Sequence, residues 1–241
     1  MEIRQIFIVL VDISGYTRFL KLHRKTLLHA EGIITELLKR IIESSKPPLV
    51  LHELEGDAVN FYALSDGTPE MARDIGGQVL GFIDAFRQRE RELVSECGPC
   101  SCEACQSVGK LKLKAVLHHG EAAFTKIRQF EKIGGEDVIL AHRLLKNSIE
   151  RDEYILLSAS FFELCERLNG KELEDRREYC EGIGEVNVKV HYTEPAAFSE
   201  PVKASSLSKF RTLAKLGGYM IKRLYRPSPK FRHLRAQWKD T

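Results

Sequence analysis

Residues 5–11, QIFIVLV, place one apolar side chain after another with no polar alternation until Asp12. A strand that is apolar on both sides has to be buried, so this run reads as a buried strand rather than an edge. It commits the chain to a layered fold with that strand inside it. The next pattern has a different period. Leu27/Leu28, Ile33/Ile34, Leu37/Leu38 and Ile41/Ile42 recur at helical spacing until Ser44-Ser45-Lys46-Pro47-Pro48 halts them.

Leu49–Leu54 and Ala58–Leu64 flank Glu55-Gly56-Asp57 and read as a strand hairpin. A second long helix is expected from Pro69 to Val94, with Met71, Ile75, Val79, Phe82, Ile83 and Phe86 on one face; a proline suits its first turn. Lys110–His118 alternates as a half-buried strand does, and Ala122–Ile127 is a candidate to pair with it. Val138–Lys146 reads as a helix, Tyr154–Leu157 as a short strand and Ser160–Leu168 as a helix ended by Asn169-Gly170. Residues 174–181 and 185–193 read as a closing hairpin. Helices interleaved with tightly turned strand pairs point to an α+β sandwich, not a purely parallel sheet.

Charge separates the chain into two parts. Of its 37 basic and 34 acidic residues, eleven basic ones and a single acid (Asp240) fall within residues 203–241, giving a +10 tail after a body of −7. The expected division is a folded domain over 1–199 and a linker with a basic amphipathic extension over 200–241. In that extension Phe210, Leu213, Leu216, Tyr219 and Ile221 interleave with Lys209, Arg211, Lys215, Lys222 and Arg223. An anionic membrane surface, nucleic acid or another protein suits such a helix, as does packing across the acidic body. No apolar run approaches the ~20 residues of a membrane span. With no small-residue cleavage site after the apolar start, a cytoplasmic location is the expectation.

Four of six cysteines crowd into nine residues: Cys97, Cys100, Cys102 and Cys105. Without a secretory signal such a cluster favours metal over disulfides. Four soft thiolates can close a tetrahedral Zn²⁺ site. Only Ser101 separates the two Cys-x-x-Cys halves, where structural zinc sites usually carry a longer loop. An Fe–S cluster is the rival, and a reducible thiol patch the plain alternative.

Two acidic positions stand where chemistry is done. Asp12 closes the first strand just before Ile13-Ser14-Gly15-Tyr16-Thr17, where a helix N-terminus turns N–H groups toward an anion. Asp57 lies at a hairpin tip. Two carboxylates at adjacent strand ends can hold a divalent ion against phosphate oxygens; either one alone is an ordinary turn residue or helix cap. In this order they resemble class III nucleotidyl cyclase domains, the adenylyl and guanylyl cyclases. FIVLVDISGYTRF resembles the first metal strand, VLHELEGDAVNFY the second-metal hairpin, and LKLKAVLHHGEA the His-x-Gly strand through His118 and Gly120. IGGEDVILAHRLLKNS resembles the family's Gly-x-x-Val-Asn-x-Ala-x-Arg-Leu helix. EYILLSASFFELC and EGIGEVNVKVHY resemble the closing strand, helix and hairpin. The resemblance spans about residues 5–193 and is closer still to an uncharacterised bacterial offshoot, a domain-of-unknown-function family.

The resemblance implies a ferredoxin-like antiparallel sheet with helices on one face. It implies a head-to-tail homodimer in which Asp12 and Asp57 of one chain bind Mg²⁺ or Mn²⁺ with a nucleoside triphosphate, while Arg143 of the other stabilises the transferred phosphoryl charge. Glu53 takes the base-reading position and favours guanine, and Lys132 takes the second such position. Three departures weigh against efficient turnover. Ile139 replaces the ribose-orienting asparagine, Lys132 replaces the usual Asp or Cys, and Ile183 lies where a phosphate-binding lysine is expected. Lys132 or Lys189 is the available substitute cation. His118, His119 and His142 are left out of the catalytic set, since partly buried histidines are more often tied by hydrogen bonds. The expected function is metal-dependent nucleotide binding with weak or unorthodox cyclase activity; the alternative is a degenerate sensor or interaction module.

Overall fold

The computed structural model describes residues 1–22, 27–96 and 103–193. The strand that opens the sequence, β1 (Glu2–Ser14), runs between two neighbours. It pairs antiparallel with β3 (Ala58–Leu64) on one side and with β4 (Lys112–Ile127) on the other. β2 (Val50–Glu55) pairs antiparallel with β3 and forms one edge. On the other flank β4 pairs parallel with β6 (Tyr154–Ser158), followed by β8 (Gly184–Tyr192) and β7 (Glu174–Cys180), while β5 (Phe130–Gly134) folds back on the far half of β4. The sheet order is β2-β3-β1-β4-β6-β8-β7. Its first four strands, joined β-α-β-β-α-β, have the ferredoxin-like arrangement.

The unbroken apolar pattern of β1 now has its cause. Phe7, Val9, Val11 and Ile13 point to one face, into a core shared with α2 (Leu27–Ser44), α3 (Pro69–Glu96) and α6 (Ala159–Cys165). Ile6, Ile8 and Leu10 point to the other face and meet Ala141 and Leu144 of α5 (Glu136–Leu145). Helices on a single face is therefore right for the longer helices but not for α5, which covers the opposite side. Continuous apolarity in a strand requires a cover on each face. α2 buries Ile33, Ile34, Leu37, Leu38 and Ile41, and α3 buries Ile75, Val79, Phe82, Ile83 and Phe86, the stripes that the sequence marks. Truncating a fully buried Phe82 or Leu37 to alanine removes about 3–5 and 2–5 kcal/mol respectively.

α1 (Tyr16–Leu22) follows Gly15, and α4 (Glu103–Ser107) leads through a 3-10 turn (Val108–Lys110) into β4. The expected pairing of Lys110–His118 with Ala122–Ile127 is corrected: residues 112–118 and 122–127 belong to one 16-residue strand, whose partner on its far half is β5. Among the described residues no helix is long and apolar enough to cross a membrane. The basic extension lies outside them.

Candidate functional site

Strand pairing gathers charge at one end of the sheet. Asp12 lies opposite Ala58 of β3 and opposite Lys114 of β4, so the centre strand presents its acid between two neighbours. The β2–β3 turn consists of Gly56 and Asp57, with Glu55 and Ala58 as the closing pair. Gly56 takes φ +63°, a value that a side chain would resist. The turn delivers Asp57 beside Asp12, and the Asp57 carbonyl accepts from the Ile13 N–H at 3.3 Å.

The result is a row of two carboxylates and one ammonium, Asp57, Asp12 and Lys114. The Lys114 Nζ lies 3.1 Å from Asp12 Oδ2, with both side chains mostly covered, and also donates to the Leu145 carbonyl. Burial and the adjacent Asp12 carboxylate push Asp57 from the ordinary 3.8 up to about 7, against the smaller opposing pull of a backbone hydrogen bond and Lys114. The pair is thus short of positive charge. Two hard oxygen ligands with one internal cation fit a divalent ion that keeps waters or substrate oxygens as its other ligands. Among the described residues no third His, Cys, Asp or Glu joins them to form a closed cage.

A second feature lies between the sheet and α5. A cavity of about 90 Å³ is lined by Ile8, His52, Glu53, Asn60, Ile133 and His142, among others. Asn60 Nδ2 donates to Glu53 Oε1 at 3.2 Å, while the buried Asn60 Oδ1 has no hydrogen-bond partner among the described residues. A carboxylate and an orphan amide oxygen face one small space, and both accept hydrogen bonds. A ligand edge rich in N–H groups would satisfy them. Glu53 is therefore placed with Asn60, which the sequence reading did not single out. Lys132 is exposed on β5 and does not line the cavity; alternation puts its neighbour Ile133 there instead.

Arg143 stands near the end of α5, half exposed, with Nη1 3.1 Å from Glu181 Oε2. Ile139, one turn earlier, is 55% exposed. Ile183 packs against the α5-side core, where an apolar residue is at home. Lys189 is engaged, 2.6 Å from Asp175 and over the Phe162 ring. Of the cysteine run, Cys105 is buried in α4; Cys97, Cys100 and Cys102 lie outside the described residues.

His118 and Gly120 serve one structural purpose. His118 is buried with Nε2 3.0 Å from Asp137 Oδ1 and Nδ1 2.8 Å from Ser158 Oγ. Burial pushes its pKa down, outweighing the Asp137 hydrogen bond and charge, so the ring is neutral. A carboxylate only accepts, so Nε2 carries the proton and Nδ1 accepts from the serine hydroxyl. Asp137 also accepts the Glu121 N–H, and Ser158 caps α6 by accepting from Phe161 N. The Ser-His-Asp order looks like a nucleophilic triad, but both Ser158 and His118 are 2% exposed. It ties β4, α5 and β6 together.

A family model described as "Protein of unknown function (DUF2652)" matches residues 34–154. "Uncharacterized protein Rv2561/Rv2562" of Mycobacterium tuberculosis (strain ATCC 25618 / H37Rv) is 32% identical over 180 residues, 75% of this chain and 82% of that protein. Among solved structures, the adenylyl cyclase CyaB from P. aeruginosa is similar with a TM-score of 0.60 at 15% identity, covering 82% of this chain and 98% of its own. The guanylyl cyclase Cya2 gives 0.54 at 16% identity, with 82% and 98% covered. The chain has the fold of class III adenylyl and guanylyl cyclase catalytic domains.

Proposed function

Because the chain belongs to the DUF2652 family and has the class III cyclase fold, we propose that it is a metal-dependent nucleotide-binding protein, with slow cyclisation of a nucleoside triphosphate as its most active form. The observation that carries this is the Asp57–Asp12–Lys114 row. It holds two carboxylates together at adjacent strand ends, where an Mg²⁺ or Mn²⁺ ion would relieve their repulsion. Bound there, the metal would supply Lewis-acid polarisation of phosphate oxygens. The chain's own residues would do the rest. Asp12 and Asp57 would hold the ion, and Lys114 would add a fixed positive charge beside it. Glu53 and the Asn60 Oδ1 accept from the base, which favours guanine.

Arg143 turns toward Glu181 within its own chain, and a second copy is the natural source of an arginine for the acidic row. The exposed Val50, Leu51 and Leu54 on edge strand β2 support a head-to-tail homodimer. Zn²⁺ at Cys97, Cys100, Cys102 and Cys105 is the structural part of the proposal, with Fe–S as the rival. The extension over 200–241 is proposed to meet an anionic surface, whether membrane, nucleic acid or protein.

Ile139 favours the second reading, a sensor that binds nucleotide without turning it over. An exposed isoleucine offers no hydrogen bond where a ribose would need orienting, and lost positioning or charge stabilisation costs about 10²–10³ in rate per contact. Incubating the purified chain with each nucleoside triphosphate and Mn²⁺ separates the two. A cyclic nucleotide that increases in Ile139→Asn and vanishes in Arg143→Ala marks the enzyme. Nucleotide binding with no product in either protein marks the sensor, and no binding of any triphosphate refutes both.

A further inference from the structure

α5 brings a third polar side chain, His142, to the cavity that Glu53 and Asn60 share. Val138 and His142 lie one helical turn apart, so both reach the cavity from the same face of the helix. His142 is half-buried, and its ring has no hydrogen-bond or ion-pair partner among the described residues. Across the cavity, Glu53 fixes the polarity of Asn60. A carboxylate only accepts, so the amide turns its NH₂ to Glu53 and its Oδ1 away. Asn60 is 4% exposed and that oxygen has no partner among the described residues, which is costly for a buried acceptor. The cavity thus offers two acceptors and one uncommitted imidazole between apolar walls that include Ile8, Ile133 and Val138. It is small, and suits the edge of a planar ring.

We infer that His142 is a specificity-determining residue, whose ring N–H donates to the O6 carbonyl of a guanine while Glu53 and Asn60 accept from its N1–H and 2-amino group. The inference rests on the nucleotide reading and deepens it, giving α5 a role that the resemblance assigns to Lys132 on β5. Lys132 pairs with Thr125 and is exposed, whereas the next pair, Phe124 with Ile133, turns Ile133 into the cavity wall. The base contact that β5 does not supply is therefore open to the helix opposite. A neutral imidazole carries one N–H and one lone pair, and no described residue claims that N–H in His142. Guanine is the one common base whose pairing edge joins one acceptor to two donors. Adenine and cytosine present a single amino group beside acceptors, and uracil a single N–H between carbonyls. Two acceptors alone would receive any edge rich in N–H groups; the imidazole adds the demand for a carbonyl at position 6. A site built to hydrogen-bond a group rejects the analogue that lacks it. The competing account is that His142 faces water and reads nothing.

GTP and 6-thio-GTP are the probes. The second keeps the N1–H and the 2-amino group but carries sulfur, a weaker acceptor, at position 6. The full chain with Mn²⁺ at pH 7 is titrated with each by calorimetry. The wild type is expected to prefer GTP by about two- to tenfold, the range of one neutral hydrogen bond. His142→Ala should weaken GTP by that factor and leave 6-thio-GTP nearly unchanged, so that the preference disappears. His142→Gln, which returns an N–H donor, should restore part of it. If the wild type is indifferent to the sulfur, or His142→Ala weakens both nucleotides equally or neither, the inference falls while the nucleotide reading stands. If Lys132→Ala erases the preference and His142→Ala does not, the role returns to β5 and the inference is overturned. If the wild type binds neither nucleotide, the nucleotide reading itself falls and takes the inference with it. Circular dichroism identifies a variant that fails to fold, and His142→Gln then decides.

Discussion

Gly120→Ala should destabilise the domain by displacing the Asp137 carboxylate that packs against the glycine. A β-carbon built at Gly120 would come within 2.2 Å of Asp137 Cγ, 2.3 Å of Oδ2 and 2.7 Å of Oδ1, so the whole carboxylate has to leave. It then gives up the Glu121 N–H and the His118 Nε2–H, and the buried imidazole keeps a donor with nothing to receive it. Hydrogen bonds to a charged group contribute about 1.5–3 kcal/mol each. The Asp137 side chain is 32% exposed, so water recovers part of that. The expected loss is about 3 kcal/mol, or a fall in melting temperature of roughly 6–12 °C for a domain of this size. The assay is urea unfolding followed by circular dichroism, on Gly120→Ala, Asp137→Ala and the double variant. With Asp137 already truncated the new methyl group has room, so the double variant should be close to Asp137→Ala alone. An effect of Gly120→Ala below about 0.5 kcal/mol, or additive losses in the double variant, would refute the reasoning.

The acidic row gives two further expectations. With Asp57 raised to about 7, its ligand form is the minority at pH 6, so Mn²⁺ affinity should rise about tenfold from pH 6 to pH 8, with proton release on binding. A flat profile over that range contradicts the assignment. In the metal-free protein the sign is opposite: a carboxyl whose folded pKa is raised contributes stability at low pH that is lost between about 4 and about 7. Lys114→Met removes the internal cation, so Asp57 should titrate higher still and Mn²⁺ should bind more tightly above pH 8; weaker Mn²⁺ binding there would show that Lys114 helps the metal rather than competing with it.

The elements legible in the sequence were those whose periodicity is enforced by burial. The β1 run, the stripes of α2 and α3 and the closing hairpin needed no partner information, because apolar spacing alone carries them. β5 was not legible: Phe130–Gly134 is mostly exposed, mixes charged with apolar residues and pairs only with the far half of β4. The cover of α5 on the second face could be inferred only once the two-sided burial of β1 was taken at its word. In the candidate site, the nearness of Asp12 to Asp57 follows the motif order, and Glu53 lies at the cavity beside α5. Lys114 was not legible, because its role comes from register: Asp12 and Lys114 are 102 residues apart and meet only as a cross-strand pair. Asn60 escaped for the same reason, its place being defined by what tertiary packing sets beside it.

Asp12 and Asp57 are proposed to hold a divalent ion for a nucleoside triphosphate. Titration calorimetry of GTP into the protein, with and without Mn²⁺, on wild type, Asp12→Asn and Asp57→Asn tests it most directly. GTP binding by the wild type should depend on Mn²⁺, and both variants should lose that dependence, since one carboxylate cannot hold the ion alone. Unchanged Mn²⁺-dependent GTP affinity in both would contradict it.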